Sequence, residues 1–200
     1  MPQLTLYFAP GSSSMAPHIA LNEIALCDSD FAFEANPISF DRGDNRTAAF
    51  LALNPEGKVP TLLIDGRPLT EVAGILYYLA RSFPEVRLMP LGDIEAEAQI
   101  VAWMSFIAAT LHPARRQGLE QVQKLYAIAE QRLSGRDWVV GAYSIADIHL
   151  FRLFWRVKYL LDPTISGYPN LMAHYARMMD RLAVKRTIAI EAGKGYEIPT

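Results

Sequence analysis

The hydrophobic pattern changes character part-way along the chain. Leu4 to Phe8 is an apolar run of strand length, and Met15 to Leu26 follows with helical spacing through Met15, Ile19 and Ile24, leaving Asn22 and Glu23 outside. Phe31, Phe33 and Ala35 then alternate as a second strand, so the opening elements predict a βαβ unit. Residues 41–57 are polar and rich in turn formers, and read as a poorly ordered link. Val59 to Ile64 and Arg67 to Leu69 flank Asp65-Gly66, a dipeptide that favours a two-residue hairpin because both positions tolerate positive φ. Thr70 is placed to cap a helix running to about Phe83, with Ile75, Leu76, Leu79 and Ala80 on its buried side.

Pro84, Pro90 and Gly92 punctuate the next stretch, and beyond Asp93 the pattern is helical to the end. The predicted helices are Ile94 to Leu111, broken by Pro113, then Gln117 to Leu133, Ile145 to Leu161, Asn170 to Leu182 and Val184 to Ala192. Ser144-Ile145-Ala146-Asp147 is the best-defined start: Ser144 can bond the N–H of Asp147 while the Asp147 carboxylate reaches back to the Ser144 N–H, with Tyr143 and Ile148 at the staple positions. Asp147 is therefore expected to act on folding rather than on catalysis. The expected architecture is an α/β unit over residues 1–82, a linker over 83–92 and an all-helical unit over 93–200.

Composition narrows the functions open to such a chain. With 51% hydrophobic and 20% charged residues in 200, it can build a real core. A formal net charge of -2 and basic pairs as short as Arg115-Arg116 and Lys185-Arg186 leave no expectation of nucleic-acid or anionic-membrane binding. No apolar run of the roughly 18 residues that span a bilayer is expected, nor a signal peptide, which makes the cytoplasm the expected location. The single cysteine, Cys27, excludes an internal disulfide and is expected to be a buried apolar residue. No metal site is expected.

Chemistry concentrates in the turn Ala9-Pro10-Gly11-Ser12-Ser13-Ser14 between the first strand and the first helix. A helix begins with backbone N–H groups lacking intrahelical partners and with a partial positive charge, so hydroxyls there can cap it, or face a bound anion or thiolate.

Five segments in order resemble the cytosolic glutathione S-transferase family over essentially the whole chain. Tyr7 to Leu21 is similar to the first strand and helix of its bacterial beta class, Asn54-Pro55-Glu56-Gly57-Lys58-Val59-Pro60 to its Asn-Pro-x-Gly-x-Val-Pro segment, and Leu69-Thr70-Glu71 to its Leu-Thr-Glu helix start. Trp103 to His112 resembles the beta-class helix that ends in a site histidine, and Ser144 to Asp147 the family's capping box. The resemblance implies a thioredoxin-like first unit that binds glutathione as co-substrate, a helical second unit holding a small electrophile, and a homodimer.

It also implies residue roles. Val59-Pro60 would be a cis peptide whose Val59 backbone pairs with the cysteinyl part of glutathione as an added strand would, with Lys58 in the same binding segment. Glu71 would hold the γ-glutamyl amino group, while the helix N-terminus faces its carboxylate. Val72 stands where the family has Ser or Gly, which leaves only its backbone N–H to contribute. The thiol must ionise to attack, and lowering its pKa by about two units needs about 2.7 kcal/mol of differential stabilisation, within reach of a hydroxyl hydrogen bond near a helix N-terminus.

Four hydroxyls are candidates for that bond. Ser13 occupies the place of the beta-class cysteine and ranks first, Ser12 follows Gly11 as in serine-using classes, Ser14 reads best as a cap, and Tyr7 ends the strand as in tyrosine-using classes. With no thiol at the turn, conjugation is expected in preference to thiol transfer through a mixed disulfide. His112 would line the site or simply favour its helix C-terminus, and Ser105 lies seven residues earlier on the same predicted face. Pro113 replaces the Lys common after that histidine. Trp103, Phe106, Phe154 and Trp155 read as core or interface, with some able to wall an apolar pocket. Two further readings stand beside conjugation: a non-catalytic relative used as a binding or regulatory module, and a glutathione-dependent isomerase or dehalogenase.

Overall fold

The computed structural model describes residues 1–161 and 167–196. They fall into two units, Met1–Val86 together with Leu182–Thr200, and Arg87–Arg181.

The first unit is built on β1 (Leu4–Phe8), which pairs in parallel with β2 (Glu34–Pro37) and antiparallel with β3 (Thr61–Ile64), itself paired antiparallel with β4 (Arg67–Thr70) in the order β2-β1-β3-β4. In this register Leu6 lies opposite both Ala35 and Leu62, and Leu6 and Leu62 are wholly buried. The β3–β4 hairpin turns on Asp65 and Gly66 with φ of 49° and 79°, the pair of positive values that a type I′ turn requires. Helices α1 (Met15–Cys27) and α3 (Val72–Ser82) pack on each other, burying Ile19, Ile24, Ile75, Leu76 and Leu79.

Residues 41–57 are more regular than their polarity suggested. They hold a 3-10 turn (Asp44–Arg46) and α2 (Ala48–Leu53), whose start is capped where Thr47 Oγ1 accepts the Phe50 N–H at 3.3 Å. A helix this short buries only Phe50, too little for a 3.6-residue period to register. Phe31 leaves the second strand to pack edge-on against Phe83 at 5.0 Å, so β2 starts at Glu34. Thr70 ends β4, and Glu71 takes the cap position expected of it. Cys27 is exposed, because it lies at the C-terminal end of α1, beyond the stretch that is buried on all sides and ends at Ile24.

The last helix, α9 (Leu182–Ala192), departs from the expected helical domain of residues 93–200. It packs against α1 in the first unit, where Asn22 Nδ2 donates to Thr187 Oγ1 at 2.9 Å. Covered by the sheet, α3 and α9, α1 is buried over every residue from Met15 to Ile24.

In the second unit, α4 (Ile94–Phe106) runs through a π-helical turn (Ile107–Leu111) into α5 (His112–Ala114) and a 3-10 turn (Arg115–Gln117), followed by α6 (Leu119–Arg132), α7 (Ile145–Leu161) and α8 (Pro169–Asp180). Pro113 does not break the helix: the wider π turn before it changes the hydrogen-bond pattern at the position where proline has no N–H to give. The run Ile94–Gln117 is long and apolar enough to cross a bilayer by length and composition, contrary to the expectation from sequence. Here Ile100, Trp103, Met104, Ile107 and Leu111 are buried among the helices of the unit. Leu88 and Met89, assigned to the linker, are also buried, and the Leu88 carbonyl accepts the Ile145 N–H at 2.9 Å.

The start of α7 is the predicted capping box with one change. Asp147 Oδ2 accepts from the Ser144 N–H and from Ser144 Oγ, both at 2.9 Å, but Ser144 Oγ accepts from Ala146 N rather than Asp147 N. The other Asp147 oxygen accepts the Val139 N–H at 2.9 Å and meets His174 Nε2 at 3.0 Å. Asp147 thus ties α7, α8 and the preceding loop together.

Candidate functional site

Strand β1 delivers the chain into the turn Ala9–Ser14 at the N-terminus of α1, and the turn is locked from inside. Gly11 has φ of 70°, and its N–H donates to Glu191 Oε2 of α9 at 2.7 Å. Glu191 Oε1 meets His18 Nδ1 at 2.9 Å, and both residues are wholly buried. The His18 ring lies 4.9 Å from Phe8 and 6.0 Å from Phe33. Neither His18 nor Glu191 stood out in the sequence, and each is buried beside another polar residue of its own helix, Asn22 on α1 and Thr187 on α9.

The three serines are not equivalent. Ser14 is buried and makes no cap bond to its helix; its hydroxyl donates to the Ala9 carbonyl at 3.2 Å and accepts the Ala9 N–H at 3.1 Å. Its expected role as a cap is thus replaced by closure of the turn. Ser12 Oγ lies 2.6 Å from Ser14 Oγ and accepts the Ser14 N–H at 3.2 Å. Since the Ser14 proton goes to Ala9, the Ser12 proton goes to Ser14. Ser13 is half-buried, and its hydroxyl donates to the Val59 carbonyl at 3.2 Å. Tyr7 packs edge-on against Phe50 at 5.6 Å, beside Ala9, Ile38 and Val59.

Val59-Pro60 is a cis peptide, held by the segment before it. Asn54 Nδ2 donates to the Lys58 carbonyl at 2.8 Å and to Thr61 Oγ1 at 3.1 Å, and Asn45 Nδ2 donates to the Gly57 carbonyl at 2.8 Å. Gly57, at φ of 63°, is required there, since a Cβ would come within 2.8 Å of the Asn45 carbonyl oxygen. The Lys58 side chain is exposed and hydrogen-bonds the Glu56 carboxylate.

Glu71 is exposed with φ of 68°, a conformation that costs a non-glycine residue about 1–3 kcal/mol and persists where the surroundings impose it. It immediately precedes the N-terminus of α3, with no side-chain bond to its own helix, while Val72 beside it is buried. The first unit therefore gathers Ser13 and Val59 directly, and presents a carboxylate ahead of a helix start.

His112 and Ser105 belong to the second unit. Ser105 is exposed on α4, and the π-helical turn between them takes more residues per revolution, so seven residues no longer bring the pair onto one face. Trp103 and Phe154 are buried, Phe106 and Trp155 partly so. Partial desolvation and then the positive charges of Arg152, Arg116 and Arg156 hold the His112 pKa below its ordinary value. His149, buried on α7, is pushed down to about 3 by burial and by His112 and Arg152, so it is neutral at pH 7. Burial pushes the Tyr126 phenol up, against the pull of Arg152, and burial and Arg115 bring Arg156 down to about 10. Among the described residues no group of three His, Cys, Asp or Glu side chains forms a metal-binding cluster.

Comparison with known proteins agrees with this geometry. Residues 2–81 match the model of the glutathione S-transferase N-terminal domain, and residues 93–181 that of the C-terminal domain. The chain is 30% identical to glutathione S-transferase GstA of Escherichia coli O157:H7, over 96% of this chain and 100% of that protein. Among solved structures, a glutathione transferase from Methylococcus capsulatus is 32% identical with a TM-score of 0.82, covering 94% of this chain and 98% of its own. A sphingomonad glutathione S-transferase complexed with glutathione is 31% identical with a TM-score of 0.82, over 94% and 98% of the two chains. A thioredoxin-like four-stranded unit, a helical unit and a turn of hydroxyls beside a cis-proline, matched over nearly the full length of such relatives, identify the chain as a member of the glutathione S-transferase family, an enzyme family.

Proposed function

We propose that this enzyme conjugates glutathione to a small electrophile, with Ser13 as the group that stabilises the glutathione thiolate. The observation that carries the reading is the 3.2 Å hydrogen bond from Ser13 Oγ to the Val59 carbonyl: it sets the hydroxyl beside the backbone along which a cysteinyl residue would lie as an added strand. Of the three turn hydroxyls it is also the one outside the Ser12–Ser14–Ala9 network, so it can turn its proton to a sulfur without dismantling the turn. A hydroxyl bond to the thiolate, added to the positive end of α1, supplies stabilisation on the order of the 2.7 kcal/mol that two pKa units need.

Glutathione is bound in this reading by the Val59 backbone with Lys58 nearby, by Glu71 at its amino group and by the α3 N-terminus at its carboxylate, the Val72 N–H serving where other relatives have a hydroxyl. The strained exposed backbone of Glu71 supports this, because it holds a carboxylate away from its own helix. The thiolate attacks the electrophile and the thiol proton passes to solvent. His112 and Ser105 are assigned to the electrophile side, in the helical unit. The enzyme acts in the cytoplasm as a homodimer, tested by sedimentation at twice the 22.3 kDa chain mass.

Calorimetry with glutathione and the pH dependence of conjugation test the reading together. Saturable binding below millimolar concentration, with a rate-controlling thiol ionisation well under its free value that rises in Ser13→Ala, is the expected result. Absence of binding at millimolar glutathione would leave the non-catalytic alternative, and product formed without glutathione consumption the isomerase.

A further inference from the structure

The backbone N–H groups of the hydroxyl turn can be accounted for one by one. Ala9 donates to Ser14 Oγ at 3.1 Å, Ser12 to the Ala9 carbonyl at 3.0 Å and Ser14 to Ser12 Oγ at 3.2 Å, while Pro10 has none to give. Met15 and Ala16 donate to the Ser12 and Ser13 carbonyls at 3.1 and 3.3 Å. Gly11 donates to Glu191 Oε2 at 2.7 Å, a shorter bond than any of these and the one N–H bond among them that leaves the turn. Among the described residues the Ser13 N–H has no acceptor, and Ser13 is half-buried with its hydroxyl on the Val59 carbonyl.

Glu191 is wholly buried, and α9 carries it on a two-rung polar contact with α1. Its Oε1 meets His18 Nδ1 at 2.9 Å, and one turn along each helix Asn22 Nδ2 donates to Thr187 Oγ1 at 2.9 Å. Stability alone does not explain a carboxylate in such a place, because well-packed apolar side chains of similar volume stabilise a core as well or better. What the carboxylate adds is direction. Gly11 tolerates φ of either sign, so its own backbone does not set which way the Pro10–Gly11 peptide faces, and an acceptor on its N–H favours one orientation.

We propose that Glu191 is a positioning residue for the glutathione thiolate. By holding the Gly11 N–H it sets the backbone that enters Ser12 and Ser13, and so presents the Ser13 hydroxyl and the unpaired Ser13 N–H to one sulfur. Two donors on one residue stabilise an anion more than a hydroxyl alone, and their aim depends on the turn being held before the ligand arrives. The assignment rests on the transferase reading above and deepens it: Glu191, being wholly buried, acts through the turn and not on either substrate.

The test reads the thiol pKa of bound glutathione from thiolate ultraviolet absorbance, with kcat and KM for conjugation, in Glu191→Leu, Glu191→Gln and Thr187→Val, each below its own unfolding transition. Glu191→Leu, which removes the acceptor, is expected to raise the thiol pKa by about one unit and to lower kcat by about tenfold, with KM for glutathione within about twofold. Glu191→Gln keeps an oxygen for Gly11 and is expected to recover most of both. Thr187→Val breaks the neighbouring rung, loosening α9 against α1, and is expected to leave both at their wild-type values. Glu191→Asp, with the same charge on a shorter arm, serves where Glu191→Leu fails to fold, and a raised thiol pKa is again expected. A wild-type thiol pKa in the folded member of that pair would overturn the assignment, as would an equal rise in Thr187→Val, since the carboxylate would then serve stability only. A Glu191→Gln as impaired as Glu191→Leu would also overturn it, because the charge and not the bond to Gly11 would matter. Failure of the underlying reading looks different. Glutathione bound to the unaltered enzyme with its thiol pKa at the free value, or at a value that Ser13→Ala does not move, would remove the thiolate contact itself and the positioning role with it.

Discussion

Glu191 accepts the backbone N–H of Gly11 at 2.7 Å, a bond between the last helix and the first turn, 180 positions apart in the chain. Its other oxygen meets His18 Nδ1, so one carboxylate holds the hydroxyl-bearing turn and the helix that follows it. Glu191→Ala removes the carboxylate that accepts the Gly11 N–H and meets the buried His18 Nδ1, and is expected to cost about 2–5 kcal/mol, read as a lowered urea midpoint. Glu191→Gln keeps an oxygen for Gly11 and is expected to recover part of the loss.

Ser12 and Ser13 are expected to fail differently. Ser13→Ala should lower kcat/KM by about 10- to 100-fold, corresponding to about 1.4–2.8 kcal/mol of transition-state stabilisation, and raise the thiol pKa seen in the pH–rate profile. Ser12→Ala removes the donor to Ser14 Oγ and the acceptor of the Ser14 N–H, so it should lower stability by about 1 kcal/mol and leave the thiol pKa in place. Reversal of the two outcomes would move the thiolate contact to Ser12; a thiol pKa indifferent to both changes would move it to Tyr7.

At Glu71, strain and binding separate cleanly. Glu71→Gly relieves a φ of 68° and is expected to raise stability by a few tenths to about 1 kcal/mol, while weakening glutathione binding by about tenfold or more in calorimetry. A variant that gains stability and keeps its affinity would show that the carboxylate has no ligand.

The buried His149 links stability to pH. Its folded pKa of about 3 lies below the unfolded value near 6.5, so the unfolded chain takes up the proton first. Its contribution is complete above pH 6.5 and is lost as pH falls from there toward 3, at up to about 1.4 kcal/mol per pH unit. Denaturation midpoints of the wild type minus those of His149→Gln, taken between pH 4 and 8, should show that slope below 6.5 and none above it.

Asp147→Ala should act on folding alone. It strips partners from the Val139 and Ser144 N–H groups and from His174, and about 2–5 kcal/mol of lost stability is expected, with kcat/KM at a permissive temperature within about twofold of wild type. A large loss of kcat/KM in a folded variant would assign Asp147 a second role.

Local chemistry was readable without the fold. Leu4–Phe8, the Asp65-Gly66 hairpin, α7 from Ile145 to Leu161 and the Ser144–Asp147 box follow from periodicity, turn propensity and capping, all of which act over a few residues. The cis Val59-Pro60 peptide was expected only from the resemblance of the Asn54-Pro55-Glu56-Gly57 segment to the glutathione S-transferase family, not from local propensity. The turn of three serines was visible as a site, but as three interchangeable hydroxyls.

What distinguishes those hydroxyls lies across space. Ser14 was read as a cap and turned out to bond Ala9, Ser13 found the Val59 carbonyl, and the whole turn depends on Glu191 from α9, which was expected in the helical domain and packs on α1. The Asn22–Thr187 bond between α1 and α9 was equally hidden, because a period within one helix fixes which residues share a face but not which face it meets. The sequence by itself determined the elements, the hairpin, the cap of α7 and the location of the hydroxyl turn. Tertiary structure alone decided how each hydroxyl is bonded and what holds the turn, since those depend on partners whose separation along the chain carries no periodic signal.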